Sequence, residues 1–151
     1  MIEGKELGHL VLFVRDVQKS AAFYGDVLGW DVVIAARPGQ PIAAFSSGRT
    51  HHELLLIEVG DKATPLPRGR HLGLYHFGLK IGDTDDELRD AVNRLNEVGV
   101  AIDGLSDHTI SHSIYILDPD GNQIELYIDV ADVDWKSDPS LIGAPVRPLT
   151  L

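Results

Sequence analysis

Two histidines, His9 and His76, each stand seven residues ahead of an aspartate, Asp16 and Asp83, and each pair sits in the same run of segments. In the first half, Leu7 to Val14 is β-rich. Asp16 then suits the cap of a helix whose apolar positions Val17, Ala21, Tyr24 and Leu28 follow helical spacing. Gly29 suits the left-handed residue that ends it. Trp30 to Ala35, Ile42 to Phe45 and Glu53 to Val59 read as three strands, separated by turns at Pro38-Gly39 and Ser46-Ser47-Gly48. In the second half Tyr75 to Ile81 opens as a strand, and Thr84-Asp85-Asp86-Glu87 is a capping box. The helix carries Leu88, Val92, Leu95 and Val98, and Gly99 closes it. Strands follow at Val100 to Ile102, Ser113 to Leu117 and Gln123 to Ile128, with Pro119-Asp120-Gly121-Asn122 as a tight turn.

The chain is therefore an internal βαβββ repeat, an α+β fold. We expect a first module over 7–60, a second over 73–130 and a C-terminal arm or lid over 131–151. A loop rich in Pro, Gly and Arg, Thr64 to Gly73, joins the modules.

Composition narrows the chemistry. With no cysteine among 151 residues, disulfides, thiolate metal sites and cysteine nucleophiles are excluded. A net charge of −10 repels phosphate backbones and anionic lipid heads, so nucleic acid and membranes are poor partners. No apolar run reaches the roughly 18 residues of a membrane span. The first residues lack the basic and apolar regions of a signal peptide, so a cytoplasmic location is expected.

A paired βαβββ repeat with a histidine opening each half resembles the vicinal oxygen chelate superfamily. That group includes glyoxalase I, extradiol dioxygenases, fosfomycin resistance proteins, methylmalonyl-CoA epimerase and metal-free bleomycin-binding proteins. The likeness covers roughly residues 7 to 130. Asp16 to Tyr24, running on to Val27-Leu28-Gly29-Trp30, looks like the superfamily's first helix, and Asp118 to Glu125 like its last turn and strand. The resemblance implies that the modules curl into a cupped, open-barrel mixed sheet around a metal site. His9, His76 and Glu125 would be the metal ligands. Two imidazoles and one carboxylate with open positions suit Fe(II), Mn(II) or a similar divalent ion.

The segment from His108 through Tyr115 to Glu125 is similar to the signature of extradiol ring-cleaving dioxygenases. That signature has a histidine, an apolar-Tyr pair, an acidic residue, Pro, a turn Gly and the ligand Glu. Thr109 stands where related single-domain proteins often carry glycine. His52 matches a further family histidine that opens the last strand of the first half. The resemblance implies a catechol-type aromatic diol and O2 as substrates, Fe(II) as the metal and a homodimer or higher homo-oligomer. His52, His108 and Tyr115 would be the catalytic residues. Histidine suits proton transfer because its charge changes near neutrality. Glyoxalase-like and fosfomycin-type chemistry remain as alternatives, as does a metal-free binding protein of the same fold. Glyoxalase chemistry would need a fourth ligand, and the matching position, two residues past His52, is Leu54, which argues against it; with the register moved by one, Glu53 would be that ligand.

Overall fold

Residues Met1–Leu151 are described by a computed structural model in which the chain divides into two compact units, Met1–Leu66 and Pro67–Leu151. Each unit builds a mixed sheet from one βαβββ pass.

In the first unit, β1 (Leu10–Val14) leads to α1 (Val17–Ala22), followed by β2 (Val32–Ile34), β3 (Ile42–Phe45) and β4 (Leu54–Glu58). The sheet order is β1-β4-β3-β2, with β1 parallel to β4 and the other pairs antiparallel. Asp16 caps α1, its Oδ1 accepting from the amides of Gln18 and Lys19 at 2.9 and 3.0 Å. A second acceptor, Oε2 of Glu58 at the end of β4, takes the Val17 amide at 2.9 Å and ties the helix start to the sheet. The helix relaxes into a π-helical turn over Phe23–Val27, and Gly29 follows at φ +70°. Because of that change of pitch, the buried face is Val17, Ser20, Phe23 and Tyr24, not the evenly spaced set that the sequence suggests.

Strand alternation sorts the first sheet into two faces. Leu12, Val14, Leu54, Leu56, Ala43 and Phe45 are buried with the helix and form the unit's core. Fully burying a side chain such as Leu54 or Phe45 contributes about 1.5–3 kcal/mol. His9 precedes the other face, where Val11 and Phe13 remain exposed.

The second unit repeats the plan with β5 (His76–Gly82), α2 (Asp85–Glu97), β6 (Ile102–Asp107), β7 (Ser111–Leu117) and β8 (Gln123–Asp129). The order is β5-β8-β7-β6-β9, where β9 (Arg147–Pro148) comes from the C-terminal arm. That arm pairs Arg147 with Asp107 and Pro148 with Ser106, so it covers the edge of β6. Strand β6 starts at Ile102, where the expected strand ends, and runs on to Asp107, with a register shift between Ile102 and Gly104.

Helix α2 starts as the sequence predicts. The Thr84 hydroxyl accepts from the Glu87 amide at 3.3 Å, while Glu87 Oε2 reaches back to the amide of Asp83 at 2.8 Å. Leu88 and Leu95 pin the helix to the sheet beside Ile114, Ile116, Ile124, Leu126 and Ile128. No helix is long and apolar enough to cross a membrane.

Candidate active site

In the second unit the helix-free face of the sheet is polar. Pairing of β5 with β8 sets His76 against Gln123 and Gly78 against Glu125, and pairing of β7 with β8 sets Tyr115 against Glu125. Three strands therefore present His76, Glu125 and Tyr115 together. Gly78 leaves the floor beside Glu125 low, since a Cβ there would stand 3.1 Å from the Tyr127 ring and 3.7 Å from Glu125 Oε2.

The Glu125 carboxylate is divided between two kinds of neighbour. Its Oε2 lies 3.2 Å from His76 Nε2. Its Oε1 accepts from the Ser113 hydroxyl at 2.6 Å and from the Tyr115 hydroxyl at 3.1 Å. Tyr115 lies 2.8 Å from His108 Nε2. With the phenol proton directed to Glu125, the histidine nitrogen donates and the tyrosine oxygen accepts. Burial, then the negative charge of Glu125 and the hydrogen bond to it, push the Tyr115 phenol well above the ordinary tyrosine range. It remains a protonated donor at any physiological pH.

His108 is held by the β6–β7 hairpin, in which its amide donates to Ser111 O at 2.9 Å. The next residue, Thr109, sits at φ +73°, the left-handed region that favours glycine. Its amide is held by Asp107 Oδ1 at 2.7 Å, and its buried hydroxyl has no hydrogen-bond partner.

In the first unit, His9, His51 and His52 form a cluster of imidazoles. The His52 ring centroid is 4.6 Å from that of His9 and 4.4 Å from that of His51, whereas His9 and His51 are 6.5 Å apart. The Nδ1 atoms of His51 and His52 are 2.5 Å apart. Desolvation, then the neighbouring imidazoles of His51 and His9, hold His52 below the ordinary histidine range.

The repeat also settles the position of the fourth ligand that glyoxalase chemistry would need. In the second unit Glu125 pairs with the residue two past His76; in the first, Leu55 pairs with Val11, two past His9. The equivalent of Glu125 is thus Leu55, one residue beyond the expected Leu54, and it is likewise apolar. Glu53 is engaged elsewhere, accepting from the Ser47 amide at 2.6 Å and from Arg49 Nε at 2.9 Å. Although desolvation opposes ionisation, these hydrogen bonds from Ser47 and Arg49 hold its carboxyl below the usual range.

Neither unit by itself gathers three His, Asp or Glu side chains as a metal-holding group. The second unit brings the pair His76 and Glu125 together. The pair suits a divalent cation. Two donors bound to one ion at right angles, each about 2.1 Å from it, stand about 3 Å apart, close to the observed 3.2 Å. His76 Nδ1 is buried with no hydrogen-bond partner, so the ring's polar contact is with Glu125 alone.

From sequence, Ser113 is not recognised as a site residue, and of the adjacent pair His51 and His52 only His52 is chosen, on register. Alternation along β7 places Ser113 on the same face as Tyr115, which is the signal that could have found it. His112 binds Asp85 Oδ1 at 2.6 Å and staples α2 to β7, and His71 stays in its exposed loop near Gly69 O.

Known proteins are similar to this chain in sequence and in fold. A family model described as the Glyoxalase/Bleomycin resistance protein/Dioxygenase superfamily matches residues 6–126. A catechol-2,3-dioxygenase from Bacillus subtilis (strain 168) is 35% identical over 136 residues, covering 90% of this chain and 46% of the relative. The chain thus spans less than half of that enzyme's length. The metallothiol transferase FosB of Staphylococcus epidermidis is 30% identical, with 84% of each protein covered. Among solved structures, a glyoxalase/dioxygenase from Nostoc punctiforme shares the fold with a TM-score of 0.68 and 24% identity, covering 83% of this chain and 91% of that one. The repeat, its sheet registers and the match over residues 6–126 lead to one conclusion: the chain belongs to the glyoxalase/bleomycin resistance/dioxygenase superfamily.

Proposed function

We propose that the chain forms the centre of a metal-dependent extradiol dioxygenase that cleaves a small catechol-type aromatic with O2. His9, His76 and Glu125 would hold one divalent ion, Fe(II) or alternatively Mn(II). The observation that carries this reading is the divided Glu125 carboxylate, one oxygen facing His76 and the other facing the Tyr115–His108 pair. A ligand adjoining a phenol and an imidazole is what binding of an acidic aromatic diol requires. The 35% identity to a catechol-2,3-dioxygenase supports the same class.

Fe(II), when bound, supplies a Lewis-acid and one-electron centre for the reaction with O2. The remaining work falls to side chains. Catechol binds in a form that has lost at least one proton, and the anionic oxygen needs donors. Tyr115, kept protonated, can turn its hydroxyl from Glu125 to that oxygen, and His108 holds the tyrosine oxygen in place at 2.8 Å. His52, kept neutral by its surroundings, is the group that assists proton transfer as oxygen enters the ring.

A second reading, metal-assisted thiol transfer, is favoured by the FosB match, which covers 84% of both proteins. One experiment separates the two. The protein is loaded with Fe(II) without oxygen, then given catechols and air while visible absorbance is followed. Ring cleavage predicts a yellow semialdehyde product that is lost in His76→Ala. Tight binding of a divalent metal with no colour from any catechol would move the assignment to thiol transfer.

A further inference from the structure

We propose that Ser113 is a positioning residue that fixes the Glu125 carboxylate so that Oε2, and not Oε1, is presented beside His76. The inference rests on the reading of Glu125 as a metal ligand. Ser113 is fully buried in β7, on the same face of the sheet as Tyr115 and Glu125. A buried hydroxyl costs free energy unless it is hydrogen-bonded, and the partner of Ser113 is Glu125 Oε1 at 2.6 Å.

The second donor to the same oxygen, Tyr115, cannot serve as a permanent anchor. Its hydroxyl is the donor proposed to turn toward an anionic substrate oxygen, and at that moment Oε1 would lose its 3.1 Å bond. Ser113 has no such second task. Its hydroxyl keeps Oε1 satisfied, so the carboxylate need not rotate to recover a partner when Tyr115 leaves. The two hydroxyls thus divide the work: Ser113 holds the ligand and Tyr115 meets the substrate. Partners that orient a ligating carboxylate typically matter about 10- to 100-fold in metal affinity.

The test is titration of metal-free protein with Mn(II), followed by electron paramagnetic resonance of the free ion, alongside thermal unfolding of each metal-free form. The proposal predicts that Ser113→Ala binds Mn(II) about 10- to 100-fold more weakly while its metal-free form melts close to the parent. Ser113→Thr, which keeps the hydroxyl, recovers most of the affinity. If Ser113→Ala does not fold, Ser113→Cys, of similar size but a weak donor, makes the same comparison. Parent-like affinity in the alanine variant overturns the positioning role while leaving the metal reading intact. Equal weakening in alanine and threonine variants also overturns it, because packing would then be the cause. Failure of the parent itself to bind Mn(II) or Fe(II) removes the metal reading, and this inference with it.

Discussion

The Tyr115 hydroxyl donates to Oε1 of Glu125 over 3.1 Å, so the phenol is tied to the carboxylate of a proposed ligand before any substrate arrives. Replacing it separates substrate handling from metal holding. Tyr115→Phe keeps the ring, and Ser113 still satisfies Glu125. We expect kcat/KM for catechol to fall about 10²- to 10³-fold, the usual loss when one donor to a developing or bound anion is removed. Mn(II) affinity should change far less. Steady-state kinetics and metal titration on the same preparation check both halves; a drop in metal affinity equal to that in kcat/KM would contradict the division of labour.

Thr109 holds a left-handed backbone next to His108 and leaves a buried hydroxyl without a partner. A left-handed non-glycine residue costs about 1–2 kcal/mol. Glycine removes that cost but loses more conformational freedom on folding, which offsets part of the gain. Thr109→Gly should therefore raise stability by about 1 kcal/mol in urea unfolding. Lower stability would mean that the Thr109 side chain contributes packing that outweighs its strain.

The start of α2 gives an opposite case. A Cβ on Gly82 would lie 2.6 Å from the Glu87 carboxyl and 2.9 Å from its Cβ. Gly82→Ala must displace Glu87 and break its bond to the Asp83 amide. A loss of about 1–3 kcal/mol, typical of overpacking, is expected in the same unfolding assay. A neutral result would show that Glu87 can move without cost.

Glu87 also gives the fold an acid-sensitive element. Hydrogen bonds from the Asp83 amide, then from the Thr84 hydroxyl, lower its pKa below the ordinary glutamate value. A carboxyl with a depressed folded-state pKa stabilises above its unfolded pKa, and that contribution fades as pH falls through the folded value. Stability should decline below about pH 4, and Glu87→Gln should flatten that part of the profile by lowering stability at neutral pH while leaving the acid end little changed. Identical acid limbs for parent and variant would show that other carboxyls govern the decline.

Much of the fold was legible because it rests on local rules. Asp16 and Thr84 cap helices through their own side chains, Gly29 and Gly99 take left-handed conformations after helices, and the βαβββ order repeats. What the sequence concealed depends on pairing across strands. A strand expected over Val100 to Ile102 instead starts at Ile102 and runs on to Asp107, through a register shift between Ile102 and Gly104. Leu55, and not Leu54, is the first-unit counterpart of Glu125, a distinction that only the pairing of β1 with β4 makes. Ser113 reads as an ordinary strand residue because nothing local says that its hydroxyl faces a carboxylate twelve residues away, on the neighbouring strand. Likewise Thr109 stood out as a departure from the family pattern, but its cost became visible only as a positive φ.

The most direct test of ring cleavage is the fate of labelled oxygen. Fe(II)-loaded protein would be given a catechol under ¹⁸O2 and the product weighed by mass spectrometry. The proposed chemistry predicts incorporation of both labelled atoms into one ring-opened product, in amounts that match the O2 consumed, and no incorporation with Glu125→Gln. Conversion of catechol without label in the product, or label retained in the Glu125 variant, would contradict it.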